Sequence, residues 1–238
     1  MSEVLLVHGS CHGAWCWRDV IPALAALGHE ARAIDLPGHG ADSTPLAEVT
    51  LEAYADAILA ALDRPAILVG HSMAGFAITA AAEKAPEKIA HLVYLCAYAP
   101  RSGVSLVDMR REAPRQPLLP ALEKSADGQS FTVRPEAAAG VFYQDCPAEA
   151  VAYALPRLCP QAIAPQATPI TLTARSASLP RSYIRCTEDG TIPHEYQVTM
   201  TEGWPEGSVE EMPTGHSPFF ADPEGLAARL SRIAEGGA

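Results

Sequence analysis

The sequence predicts an α/β fold, a mostly parallel central sheet with helices on both faces and an inserted cap. Three observations carry that prediction. Short apolar runs of strand length alternate with longer helical runs through the first hundred residues. The strand-like runs are apolar throughout, as expected of strands buried on both faces. The alternation stops near residue 99, gives way to Pro/Ala-rich sequence, and resumes near 181.

The elements follow in order. "EVLLV" (3–7) reads as a buried strand, and "WRDVIPALAALG" (17–28) as a helix stopped by Gly28. "EARAID" (30–35) reads as the next strand and "LPGHG" (36–40) as a turn. "TLEAYADAILAALD" (50–63) is an amphipathic helix with Thr50 as N-cap. "AILVG" (66–70) is a second continuous apolar strand, a helix spans 73–84, and "IAHLVYLCAY" (89–98) contains another strand.

Residues 99–180 are rich in Pro, Ala, Gln and Ser, with short helical pieces such as "PAEAVAYALPRL" (147–158). Beyond them come a strand, "RSYIRC" (181–186), a helix near 193–202, a strand near 207–212 and a closing helix, "PEGLAARLSRIAE" (223–235). The predicted organisation is one structural domain: a core of 1–98 and 181–238, and a cap insertion of 99–180.

Of the 238 residues 48% are hydrophobic and 19% charged, a globular rather than a disordered composition. The net charge of −11, without a basic cluster, argues against a nucleic-acid partner. No apolar run reaches the length of a membrane span, and "MSEVLLVHGS" lacks the basic region of a secretory leader. The expectation is a cytoplasmic protein without a membrane partner; a homodimer is compatible with it. The six cysteines, at 11, 16, 96, 146, 159 and 186, form no CxxC pair. Free thiols are therefore expected, and no metal or cofactor. Cys11 falls near the site proposed next.

Ligands of an open parallel sheet gather at the carboxyl ends of its strands. Ser72 lies just past one such end, in Gly70-His71-Ser72-Met73-Ala74-Gly75. A strand, a sharp turn and a helix would lift its hydroxyl above the sheet, as in the G-x-S-x-G elbow. Ala74 stands where that pattern has its second glycine, a tolerable change where a small side chain is needed. The structural alternative is an ordinary strand–helix turn with an incidental serine.

A serine nucleophile needs a base. His29 and His91 sit at strand entrances, His39 in a turn, and His194 begins a helix. His71 adjoins the serine, but an elbow points successive side chains apart. His216, in "TGHSPFF", follows a late strand and so lies at the carboxyl edge. The third group must hold the imidazole and comes between serine and histidine in this chain order. Asp108, Asp127 and Asp145 lie in the insertion; Asp189, in "CTEDGTIP", directly follows a strand, with Glu188 as the fallback. The oxyanion requires preorganised N–H donors. The candidates are Met73 at the helix N-terminus and Ser10 in the glycine-containing loop "HGSCHGAW".

The stretches "HGSCHGAWCW", "DLPGHG", "GHSMAG", "CTEDGTIPHEYQ" and "GHSPFF" together resemble the plant methylesterase and α-hydroxynitrile lyase group of the α/β-hydrolases. The resemblance runs from residue 4 to about 220, nearly the whole chain. It implies an α/β-hydrolase fold, a catalytic triad of Ser72, Asp189 and His216, and oxyanion N–H groups from Ser10 and Met73. It also implies that Tyr98 lines the pocket, and with Gly9 it is a substrate-binding candidate. Within the insertion the resemblance is confined to the neighbourhood of "FYQDCPAEAV", and the Ala/Pro-rich composition suggests a bacterial relative.

The group contains two chemistries. Its lyases carry a threonine and a lysine at the positions held here by Gly9 and Ser217, so the cation for a departing cyanide is missing. The expected function is a serine carboxylesterase acting on small to medium hydrophobic esters, aromatic or methyl esters included, through an acyl-enzyme. A hydroxynitrile lyase and a ligand-binding, receptor-like hydrolase are the alternatives. Leu106, Leu118, Leu119, Phe131, Val141, Phe142 and Tyr143 are the apolar candidates for the cap's inner surface, and simple packing is the competing role for most of them. No lysine or arginine is placed by the sequence to clamp a charged substrate.

Overall fold

A computed structural model describes residues 3–236. The chain lays down β1 (Glu3–Val7), α1 (Val20–Ala26), β2 (Glu30–Ile34), α2 (Leu51–Ala60), β3 (Ala66–His71), α3 (Ala74–Lys84) and β4 (Ile89–Leu95). Alternation of successive side chains across each strand feeds two cores. Leu5, Val7 and Leu68 face Tyr54 of α2 and Phe76 of α3. Val4, Leu6 and Val69 face the other side, with Val20 and Leu24 of α1. Each such aliphatic side chain contributes roughly 1.5–3 kcal/mol by leaving water.

Thr50 caps α2 by accepting from the Ala53 amide at 3.0 Å. The helix expected over 17–28 is shorter: Trp17 ends a 3-10 turn that begins at Ala14, and α1 covers only Val20–Ala26.

Between β4 and the next core strand lie α4 (Leu106–Glu112), β5 (Leu122–Lys124), β6 (Ser130–Val133), α5 (Pro135–Phe142), α6 (Ala148–Ala154), β7 (Gln161–Ala162), α7 (Ala164–Ala167) and α8 (Ala174–Ala177). The three strands form a separate antiparallel sheet in the order β5-β6-β7. The core resumes with β8 (Arg181–Cys186), α9 (His194–Met200), β9 (Val209–Met212), α10 (Pro218–Ala221) and α11 (Pro223–Ala234). Leu226 and Leu230 of α11 complete the second core beside α1.

The main sheet runs β2-β1-β3-β4-β8-β9, and every neighbouring pair is parallel. All six strands therefore end at one edge, and the loops after β1, β3, β8 and β9 meet there. No helix of the described residues is long and apolar enough to cross a membrane.

Candidate active site

β3 runs straight into a turn at Ser72, whose φ of 55° lies in the left-handed region. A residue with a Cβ is strained there, and the surrounding structure must hold it. It does so by backbone bonds: the Ser72 amide donates to Leu95 O at 3.2 Å, and the Tyr98 amide donates to Ser72 O at 3.1 Å. The tight approach falls one residue beyond Ala74. A Cβ on Gly75 would run into the Tyr98 carbonyl, whereas Ala74 is fully buried as the first residue of α3.

His216 sits in the loop after β9, and its Nε2 lies 3.0 Å from Ser72 Oγ. Its Nδ1 lies 2.8 Å from Asp189 Oδ2. An ionised carboxylate only accepts, so Nδ1 carries the hydrogen and Nε2 is left to accept from the Ser72 hydroxyl. Asp189 follows β8 just past a turn, its own side chain buried although Glu188 beside it is exposed. Its Oδ1 accepts from the amides of Thr191 at 2.7 Å and Ile192 at 2.9 Å. Its Oδ2 accepts, besides His216, from Gln197 Nε2 of α9 at 3.0 Å. Four donors thus satisfy a buried carboxylate that would otherwise be costly.

Other contacts around this trio are not evident from the sequence. His71 Nε2 donates to the His216 carbonyl at 2.8 Å, and the two rings lie 4.6 Å apart. His71 belongs to the quoted "GHSMAG", but only the folded loop shows where its ring goes. Burial holds its imidazole well below the ordinary histidine range. Gln197 stands in "CTEDGTIPHEYQ" and was legible as part of a motif, not as a partner of Asp189. The stretch 141–145 braces both loops: Val141 O accepts from Thr191 Oγ1 at 2.6 Å, and Gln144 Nε2 donates to Glu188 O at 2.8 Å. Asp145 Oδ2 accepts from the Gly215 amide at 2.6 Å.

The loop after β1 approaches Ser72 closely. A Cβ on Gly9 would stand 2.8 Å from the Ser72 Cβ. Cys11 takes a φ of 63°, which turns the loop so that Ser10 borders the space above Ser72. Among the described residues no acceptor engages the Ser10 or Met73 amide. Asp35 fastens the loop to the "DLPGHG" turn, accepting from the amides of Ala14 at 2.6 Å and Ala41 at 3.0 Å. Burial pushes the Cys11 thiol far up, so it is no nucleophile despite its position.

The space at Ser72 is small, about 20 Å³. Ser10, Met73 and Tyr98 border it, with an apolar wall of Leu106, Leu118, Phe131 and Phe142. Gly9 is not in that wall but packs behind Ser72. Leu119 is half exposed, and Tyr143 turns away to place its hydroxyl 2.8 Å from His12 Nε2. Arg110, Gln166 and Thr191 add polar groups, so a cation does stand in the wall, contrary to the sequence expectation. It was illegible because α4 reaches Ser72 only through the fold of the segment between β4 and β8. A roomier cavity of 480 Å³ lies near Tyr94 and Trp204 and does not reach Ser72.

His71, Cys96 and His216 bring possible metal ligands together. Both His216 ring nitrogens are already engaged, so of the imidazoles only His71 Nδ1 stays open, and burial raises the Cys96 thiol well above its ordinary range. That donor set does not fit a metal.

Residues 4–229 match the model of the alpha/beta hydrolase family, and the chain belongs to that family. It is 34% identical to Methylesterase 1 of Arabidopsis thaliana, covering 98% of this chain and 96% of that protein. It is 31% identical to a pyrethroid hydrolase of Sphingobium wenxiniae, covering 99% and 88%. Among solved structures, a pyrethroid hydrolase from Sphingobium faniae superposes with a TM-score of 0.87 at 28% identity, covering 98% of this chain and 97% of that one.

Proposed function

We propose that the protein is a carboxylic ester hydrolase in which Ser72 is the nucleophile, His216 the general base and acid, and Asp189 the group that orients it. The observation that carries this reading is the pair of bonds at His216, 3.0 Å to Ser72 and 2.8 Å to Asp189. Ester-cleaving relatives of nearly full length support it.

In the first step Ser72 Oγ attacks the ester carbonyl carbon while its proton passes to His216 Nε2. Negative charge gathers on the carbonyl oxygen, which the Ser10 and Met73 amides receive, Met73 at the positive end of the α3 dipole. The carbon–oxygen bond to the alcohol breaks, and the alcohol leaves with the proton from His216. Water then attacks the acyl-enzyme and gives a proton to His216, which returns it to Ser72 Oγ as that oxygen departs and the acid is released.

Residues 99–180 act as the cap of a single structural domain and supply most of the apolar wall. They favour a small to medium hydrophobic acyl or alcohol group, with Tyr98 against it. The lyase alternative is not favoured: Ser217 provides no cation, and Gly9 leaves no room for a threonine. Six free thiols suit a reducing compartment, and we assign the protein to the cytoplasm.

The test is hydrolysis of short p-nitrophenyl and methyl esters by wild type, Ser72→Ala and His216→Ala. Turnover by wild type should fall by about 10⁴-fold or more in either variant. Folded wild type that cleaves no ester, or a Ser72→Ala variant that cleaves them as well, would reject the proposal.

A further inference from the structure

Arg110 is a cation in an unusual position for so acidic a chain. It borders the space at Ser72 and also an adjoining cavity of 330 Å³. Phe131 and Gln166 are shared by both, so the two spaces have a common wall. Arg111 and Lys124 border the larger cavity too, and neither space is lined by an aspartate or glutamate. Arg111 has a carboxylate partner, Asp108, at 3.4 Å. Arg110 has none among the described residues, and its Nε is buried without any acceptor.

A guanidinium offers a planar fork of donors that matches a carboxylate, and a buried donor without an acceptor is costly. The rest of the larger cavity's wall is apolar, including Leu119, Leu122 and Ile163. A ligand that meets all of these demands has a carbonyl at one end, an apolar spacer, and an anion at the other.

We propose that the preferred substrate is a half-ester of a dicarboxylic acid, its ester carbonyl at Ser72 and its free carboxylate on Arg110. The chemistry at Ser72 rests on the esterase reading above; the recognition by Arg110 does not. Gln166 helps to fix the wall that the two spaces share. Its Nε2 donates to Ser10 Oγ at 2.8 Å, tying the shared wall to the loop that carries the proposed oxyanion donor.

The experiment compares monomethyl and dimethyl esters of the same diacids over a series of chain lengths. In wild type, kcat/KM for the half-ester should exceed that for the diester at the fitting length, chiefly through KM. Arg110→Gln should reduce that ratio by about tenfold to a hundredfold, and Arg110→Lys should keep part of it. Calorimetry on Ser72→Ala gives a second readout without turnover: the half-ester should bind more tightly than the diester, and Ser72→Ala/Arg110→Gln should lose the difference. Ser72-dependent cleavage with no half-ester preference at any length would overturn the inference and leave the esterase reading standing. An Arg110→Gln variant that loses both esters alike would make the residue structural and equally overturn it. If wild type cleaved no ester, the esterase reading would fall, and equal binding of the pair would then overturn this inference as well.

Discussion

His71 donates its Nε2 hydrogen to the backbone carbonyl of His216 across 2.8 Å, so the residue before the proposed nucleophile holds the proposed base from behind. Its other nitrogen, Nδ1, is buried and unpartnered. Replacing His71 with leucine removes the strong donor and leaves the carbonyl only the weak Cys96 thiol, at 3.6 Å. The His216 ring should then sample positions away from Ser72 Oγ. We expect kcat for ester hydrolysis to fall by about ten- to a hundredfold with KM little changed. Steady-state kinetics on a variant shown to be folded by circular dichroism checks this. An unchanged kcat would mean that the loop positions His216 without help.

Gln197 works on the opposite side of the trio. Its Nε2 reaches Asp189 at 3.0 Å and its Oε1 accepts from the Cys186 amide at 3.0 Å. Gln197→Leu preserves bulk but strands that buried amide and removes one donor from the carboxylate. The expected cost is about 1–3 kcal/mol of stability, with a lower kcat. Urea denaturation beside kinetics separates the two effects; a fully stable and fully active variant would contradict the assignment.

At the elbow, the sites 74 and 75 should respond in opposite ways. Gly75→Ala drives a methyl into the Tyr98 carbonyl and should unfold the turn or abolish activity. Ala74→Gly should keep the fold and activity, at a cost of about 1 kcal/mol or less in helix propensity. Thermal melts of both variants test the contrast. Higher activity in Ala74→Gly would show that the alanine is a handicap after all.

Acid should destabilise the protein through its buried histidines. Burial lowers the His12 imidazole to about 4 from an ordinary 6.5, and it pushes His8 and His71 the same way. Above pH 6.5 neither folded nor unfolded His12 holds the extra proton, and its contribution to stability is intact. Below 6.5 the unfolded chain takes up a proton that the folded chain refuses, so stability falls as pH drops toward 4. His12 alone should account for about 3 kcal/mol by the end of that window. Urea midpoints at pH 7, 6 and 5 measure the slope, which His12→Gln should flatten. An equal slope in both proteins would argue against a neutral, buried His12.

The parallel sheet was legible because apolar runs such as "EVLLV" and "AILVG" have no polar face to offer water. That Ser72, Asp189 and His216 would come together was legible for a related reason. Each follows a strand, and parallel strands end at one edge. His71, Gln197 and Arg110 were not legible in this way. His71 meets a residue 145 positions away, and Gln197 serves a neighbouring turn through a helix whose facing cannot be read from spacing. Arg110 depends on how the segment between β4 and β8 folds back, where Pro- and Ala-rich sequence carries little periodic signal. The helix expected over 17–28 is shorter, Val20–Ala26, because Trp17 belongs to the preceding 3-10 turn, whose first residue, Ala14, is held by Asp35.

The brace formed by residues 141–145 bears on how such enzymes change their tastes. The segment lies between β4 and β8, in the proposed cap, yet it holds the Glu188–Thr191 turn and Gly215, next to the proposed base. A wholesale exchange of 99–180 with a relative would therefore transplant part of the scaffold of the proposed site along with its wall. The stretch from α4 through β6 contributes Leu106, Arg110, Leu118 and Phe131 to the wall. It can drift in sequence while the five-residue brace stays fixed. Directed evolution of new substrate ranges should accordingly accumulate its changes in 104–133, and grafts should be cut so that 141–145 remains with the sheet it serves.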